Sequence, residues 1–292
     1  MTTTVSHLHI GPIDYVLTSE PSSPLRYEDW AYREFYKLAA NSGSANSLVI
    51  FPVQVVSGTG PIPVDAPLYA AGRNWAVWRD NNGWLFCAGY ARRKRARFAC
   101  RIPNPFDRAT LYVDGDPGDA PLRYPLDQVL TWGLLGRCGG LLLHAAAVER
   151  NGMGLVFAGR SGAGKSTLSG LCHDAGWDIL NDDRVIVYPD AAGKWKVAGT
   201  PWHGFGKFAQ NRTLPLQGVY LLQQGTTDRL EPPAVRDALL SLLDVAAIPW
   251  FEDDWSQASL NALENMTGKI PIQRFYFTRS ESAVQTLASQ TP

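Results

Sequence analysis

The segment Gly159-Arg160-Ser161-Gly162-Ala163-Gly164-Lys165-Ser166-Thr167 has the form G-x-x-x-x-G-K-[ST], the spacing of a phosphate-binding loop. Its glycines let the main chain curl around phosphate oxygens so that backbone N–H groups donate to them. The helix that such a loop opens adds partial positive charge. Lys165 suits the β- and γ-phosphates and the Ser166 hydroxyl suits Mg²⁺. Both flanks fit this reading: Gly154 to Ala158 reads as a buried strand, and Leu168, Leu171 and Cys172 mark the apolar side of a helix. The pattern predicts binding of ATP with Mg²⁺. No N-K-x-D segment for guanine and no ABC-type signature accompanies it.

A phosphate-binding loop leaves the reaction open, so the groups facing the γ-phosphate decide it. Trp177 to Asn181 reads as a short strand ending at Asp182-Asp183, followed by a strand from Arg184 to Tyr188. Two adjacent carboxylates can divide labour: one holds Mg²⁺ and the other accepts a proton from an attacking hydroxyl. The competing reading is a solvated acidic turn. His144 stands within the apolar run Leu141 to Ala147, where flanking alanines leave room for the imidazole to approach Asp182 and tune it. A buried histidine satisfied by backbone is the competing case.

Beyond these, Thr200 to Lys207 holds three glycines, His203 and Trp202, a composition suited to a wall over the γ-phosphate or the acceptor. Lys207 and Arg212 are weaker candidates for neutralising charge during transfer, and His203 ranks with them. The run Arg92-Arg93-Lys94-Arg95-Ala96-Arg97 fits either a solvated strand edge or an acidic partner.

His144, the loop Gly159 to Thr167 and Asn181-Asp182-Asp183-Arg184-Val185 together resemble the catalytic domain of the HPr kinase/phosphorylase family. The intervals agree: His144 precedes Gly159 by 15 positions and Asp182 follows Ser166 by 16. The resemblance implies Asp182 as general base, His144 as its partner, and Asp183 with Ser166 at Mg²⁺. It further implies a core similar to that of phosphoenolpyruvate carboxykinases. The glycine-rich segment that follows the acidic pair in HPr kinases is not recognisable here, and the N-terminal third differs from theirs. The whole chain looks more like HPr-kinase-like proteins associated with peptide natural products, some of which phosphorylate a serine of a precursor peptide.

These groups need an α/β core, and the chain is long enough for one. Its 292 residues are 45% hydrophobic and 18% charged, with 27 Lys+Arg against 27 Asp+Glu. Neutrality argues against bulk affinity for nucleic acid or anionic lipid. Cys87, Cys100, Cys138 and Cys172 are scattered, so neither a zinc site nor a disulfide framework is expected. Without a secretory start or a long apolar run, the expected location is the cytoplasm.

The sequence divides into a β-rich region at 1–122, expected to bind substrate or partner, and a phosphate-loop domain at 123–292. In the first, Trp75–Trp78, Asp80–Gly83 and Trp84–Tyr90 predict a hairpin. Ser47–Val56, Arg97–Ile102 and Ala109–Val113 predict strands, and Tyr27–Ala40 a helix. In the second, a helix from Leu126 precedes a strand over Gly140–Glu149. The function expected is transfer of the γ-phosphoryl group of ATP to a hydroxyl, foremost a serine of a peptide or protein. The alternatives are a small hydroxylated metabolite as acceptor and a non-catalytic ATP-sensing module. Homo-oligomerisation is compatible with either.

Overall fold

The computed structural model describes residues 4–19, 29–38, 47–61, 65–72, 75–88, 98–115 and 122–290. The basic run 92–97 lies outside the described residues. By internal contacts the chain forms two compact units, one of Met1–His9 with Ile13–Leu134 and the other of Ile10–Pro12 with Leu135–Pro292.

Among the described residues, the first unit is built on one mixed sheet of β1 (Thr4–Ile10), β2 (Ile13–Ser19), β3 (Tyr36–Leu38), β4 (Val49–Ser57), β5 (Tyr69–Ala71), β6 (Trp75–Asp80), β7 (Gly83–Ala88), β8 (Phe98–Pro103) and β9 (Ala109–Val113). Their order is β3-β1-β2-β4-β9-β8-β7-β6-β5. Alternation makes β4 a strand: Val49, Phe51, Val53 and Val55 are buried while Ile50 points outward. The predicted hairpin is formed by β6 and β7, with Asp80 opposite Gly83. The long helix expected over Tyr27–Ala40 is not formed within the described residues. A single turn, α1 (Trp30–Arg33), is capped by the Asp29 side chain, and the chain then extends into β3 to pair with β1. Sheet pairing here outweighs local helical spacing.

The helix α2 (Leu126–Leu135), which sequence assigns to the second domain, lies in the first unit almost to its end. Its buried polar face explains this: the Tyr15 hydroxyl lies 2.7 Å from Thr131 Oγ1, and the Tyr32 hydroxyl donates to Asp127 Oδ2 at 2.7 Å. Sequence periodicity records only the apolar side of a helix, so these partners were hidden.

The second unit carries β10 (Leu141–Leu143), β11 (Ala145–Arg150), β12 (Met153–Ala158), β13 (Asp178–Asn181), β14 (Val185–Pro189), β15 (Trp195–Ala198), β16 (Thr213–Gln224), β17 (Arg229–Glu231) and β18 (Ile272–Phe277). The order is β10-β14-β15-β16-β12-β11-β13, with β18 also on β16 and β17 on β18. The single strand expected over Gly140–Glu149 is broken at His144: β10 pairs with β14, while β11 pairs with β12 and β13. β12, β16 and β18 run parallel, so their carboxyl ends meet at one edge.

Four helices cover the sheet: α3 (Lys165–Asp174), α4 (Val235–Leu243), α5 (Asp253–Thr267) and α6 (Glu281–Gln290). Period-two alternation divides their contacts. Ala145, Ala147, Val156 and Ala158 pack with Leu242 of α4 and Leu263 and Met266 of α5. Ala146, Val148, Leu155 and Phe157 pack with Leu168 and Cys172 of α3 and Leu287 of α6. Each fully buried large apolar side chain contributes roughly 1.5–3 kcal/mol, which anchors the helices that carry the site.

All four cysteines are free. Burial pushes the Cys100 and Cys172 thiols up to about 12, so they are inert packing groups. No helix among the described residues is long and apolar enough to cross a membrane.

Candidate active site

The strand β12 ends at Ala158, and residues 159–164 curl before α3 begins at Lys165. Gly164 takes φ +104°, a conformation that L side chains rarely adopt, and a Cβ there would meet the Phe277 ring at 2.5 Å. The end of β18 therefore presses directly beneath the loop. Lys165 is buried and donates to the Gly159 carbonyl at 2.8 Å. Burial pushes its ammonium below the usual range, partly opposed by the Asp183 charge.

A cleft of about 340 Å³ opens over this loop. Ser161, Gly162, Gly164, Lys165, Ser166 and Thr167 line one wall, and His144, Asp182, Asp183, Gly204 and Phe205 line the other, with Gln224 and Arg279 beside them. Gly159, Arg160 and Ala163 line a separate cavity of about 440 Å³, where Arg160 pairs with Asp244 at 2.6 Å.

His144 sits at the break between β10 and β11, its N–H donating to the Val245 carbonyl at 2.7 Å. Its Nε2 lies 3.2 Å from Lys165 Nζ, and its Nδ1 lies 3.1 Å from Asp183 Oδ1 and close to Arg184 Nη1. Nε2 faces the Lys165 ammonium, a donor, while Nδ1 faces both the Asp183 carboxylate, an acceptor, and the Arg184 guanidinium, a donor. Burial disfavours the Asp183 anion, but His144, Arg184 and Lys165 outweigh it and hold the carboxyl below its usual range.

The pairing of His144 with Asp182 expected from the sequence is absent; the imidazole meets Asp183. The buried Asn181 explains the exchange. Its Oδ1 accepts the N–H groups of Asp183 and Arg184 at 2.7 and 2.8 Å, and its Nδ2 donates to the Thr200 carbonyl at 2.8 Å. This tight turn swings Asp183 toward the ring and Asp182 toward the following loop. There Asp182 accepts the N–H groups of Gly204 at 2.8 Å and Gly206 at 2.6 Å. A Cβ on either glycine would approach Asp182 Oδ2 to 2.9 or 2.7 Å, so a larger residue there would press on the clasped carboxylate.

The weaker candidates fall away from the reacting groups. The His203 ring donates from Nδ1 to the Gly204 carbonyl at 2.8 Å, supporting the loop from outside the cleft lining. Lys207 is exposed at φ +57° and does not line the cleft. Arg212 pairs with Glu149 and with Asp178 at 2.9 Å, and this ion pair holds β16 to β11 and β13. Gln224 and Arg279 escaped sequence reading. Their signal was the parallel pairing of β12, β16 and β18, whose carboxyl ends form the usual ligand edge of such sheets.

The sequence model of the SynChlorMet cassette protein ScmC family matches residues 130–273, just under half of the chain. No curated protein matches. Among solved structures, the chain is similar to the Hpr(Ser) kinase/phosphatase from Coxiella burnetii at 11% identity, with 51% of this chain and 95% of that chain covered and a TM-score of 0.29. The matched segment covers most of the second unit and the cleft-lining residues other than Arg279.

Proposed function

We propose that this chain is an Mg·ATP-dependent kinase that transfers the γ-phosphoryl group to a hydroxyl, a serine of a peptide or protein. One observation carries the reading: the His144 imidazole bridges the loop lysine and a carboxylate, 3.2 Å from Lys165 Nζ and 3.1 Å from Asp183 Oδ1. Phosphate-binding and proton-accepting groups thereby share one cleft. The ties from Asn181, Gly204 and Gly206 hold the acidic pair in place at the cleft, which supports this reading over a solvated acidic turn.

In this reading the loop N–H groups and Lys165 hold the phosphates, while the acceptor hydroxyl enters beside the acidic pair. The oxygen attacks the γ-phosphorus as the bond to the β-phosphate breaks, and its proton passes to a carboxylate. The observed contact favours Asp183, oriented by His144, as that carboxylate. This exchanges the roles that the family resemblance implies.

Ser166 and Asp182 suit Mg²⁺. Mg²⁺ bound with ATP is typically held by one or two protein oxygens and the substrate's phosphates. Magnesium would supply neutralisation of phosphate charge. Phe205, fully exposed on the cleft lining next to Gly204, offers an acceptor chain an apolar contact and favours a peptide over a small metabolite.

The test follows label from γ-labelled ATP into macromolecular and small-molecule fractions of a source-cell extract. Wild-type protein is expected to label macromolecules. Asp183→Asn is expected to lower transfer by about 10²–10⁴-fold with ATP affinity retained, and Asp182→Asn to raise the magnesium requirement. Full turnover by Asp183→Asn with a dead Asp182→Asn would return the base role to Asp182. Label confined to small molecules would replace the peptide acceptor, and ATP binding without any transfer would leave a sensing module.

A further inference from the structure

Arg279 follows β18 at the edge where the parallel strands end, and its side chain lines the cleft. Its Nη2 donates to Gln224 Oε1 at 2.9 Å, and Gln224 Nε2 donates to the Gly162 carbonyl at 2.9 Å. The guanidinium is thus one side chain removed from the phosphate-binding loop. Four other arginines of this unit are ion-paired: Arg160 with Asp244, Arg184 with Asp183, Arg212 with Glu149 and Asp178, and Arg229 with Glu231. Among the described residues no carboxylate pairs with Arg279. A cation left uncompensated on the wall of a cleft already holding Lys165 and loop N–H groups is suited to an anion with several oxygens, which a guanidinium fork can grip at two points.

The turn that carries this side chain is latched on both sides. Asp228 Oδ1 accepts the Thr278 N–H at 2.5 Å, and Oδ2 accepts the Thr278 hydroxyl at 3.0 Å as well as the Ser282 hydroxyl. Thr278 and Ser280 hydroxyls lie 2.7 Å apart across Arg279. The same contacts anchor the start of α6, so Asp228 fixes the turn from which Arg279 projects.

We propose that Arg279 binds the polyphosphate chain of the nucleotide, with Asp228 as its positioning residue. The proposal rests on the reading of this cleft as a nucleoside triphosphate site. It assigns Arg279 to phosphate and not to the base, so inorganic tripolyphosphate is a sufficient probe.

The experiment titrates the full chain with ATP and with tripolyphosphate by calorimetry at two salt concentrations, comparing wild type with Arg279→Gln, Arg279→Lys and Asp228→Asn. Arg279→Gln is expected to weaken both ligands about tenfold or more and to flatten the salt dependence. Arg279→Lys should recover part of the loss, and Asp228→Asn should weaken both ligands to a lesser degree with Arg279 still present. Wild-type affinity of both arginine variants for both ligands overturns the proposal while the ATP reading stands. A loss for ATP alone, with tripolyphosphate binding unchanged, also overturns it, since the contact would then be to the nucleoside. Failure of wild type to bind either ligand overturns the reading of the cleft and the proposal together. Arg279 is exposed, and Arg279→Lys keeps a cation at the same turn, so its affinity reports phosphate contact independently of folding.

Discussion

One wall of the cleft is a single stretch of chain, Ser161 to Thr167, wrapped between β12 and α3. The other is assembled from His144, the Asp182-Asp183 turn and the loop at Gly204, with Arg279 from the far end of the sequence. The first wall depends on local backbone freedom and on the ring of Phe277 beneath it. The second depends on hydrogen bonds between segments, chiefly Asn181 to Thr200 and Asp182 to Gly204 and Gly206. A local wall is most sensitive to changes in its own glycines, whereas an assembled wall is sensitive to every tie between its segments.

The largest effect is expected on the local wall. On the proposed kinase reading, Lys165→Ala should reduce phosphoryl transfer by about 10³-fold or more, because it deletes the charge that this reading sets against the transferring group; steady-state kinetics check this. Gly164→Ala should lower stability by about 2–3 kcal/mol, read from denaturant midpoints, since its φ of +104° and the 2.5 Å approach to Phe277 leave no room for a Cβ.

On the assembled wall, Gly206→Ala should lower kcat about tenfold or more with a smaller change in stability, about 1 kcal/mol. Its Cβ would push on Asp182 at 2.7 Å. A kcat equal to wild type would show that the clasp on Asp182 is structural only.

Acid sensitivity sharpens the same comparison. The folded state holds the Asp183 carboxyl below its usual range, despite its burial, through His144, Arg184 and Lys165. The stabilisation is therefore complete above the unfolded-chain value of about 3.9 and is lost as pH falls through the lower folded value. Asp183→Asn should flatten the acid limb of a stability–pH curve below about pH 4, measured by thermal melts. The smallest effect belongs to Arg212→Ala, expected to leave transfer unchanged and to cost about 1 kcal/mol or less, because its ion pairs with Glu149 and Asp178 are partly exposed. A large loss of transfer in that variant would bring Arg212 back into the site.

Much of the second unit was legible in advance because its signals are local. The buried strand before the loop, the helix after it, and the two short strands on either side of Asp182-Asp183 show in the spacing of apolar residues, within a few positions of their observed ends. The exclusion of a disulfide framework likewise needed only the cysteine spacing, and all four thiols are free. What was not legible involved partners distant in the chain. The break of the strand at His144 follows from two different pairings, with β14 on one side and β12 and β13 on the other, which no local pattern records. The helix expected over Tyr27–Ala40 is, among the described residues, only the turn at Trp30–Arg33 followed by β3, for the same reason.

The sequence alone determined the glycine-bounded loop, its lysine and serine, the adjacent carboxylates and the elements that carry them, because backbone conformation and side-chain periodicity act over a few residues. Only the tertiary structure decided which carboxylate meets His144, what clasps the other, where Arg212 goes and that Arg279 enters the cleft. Those outcomes depend on hydrogen bonds and strand pairings between segments tens of residues apart, whose geometry exists only once the sheet has closed around them.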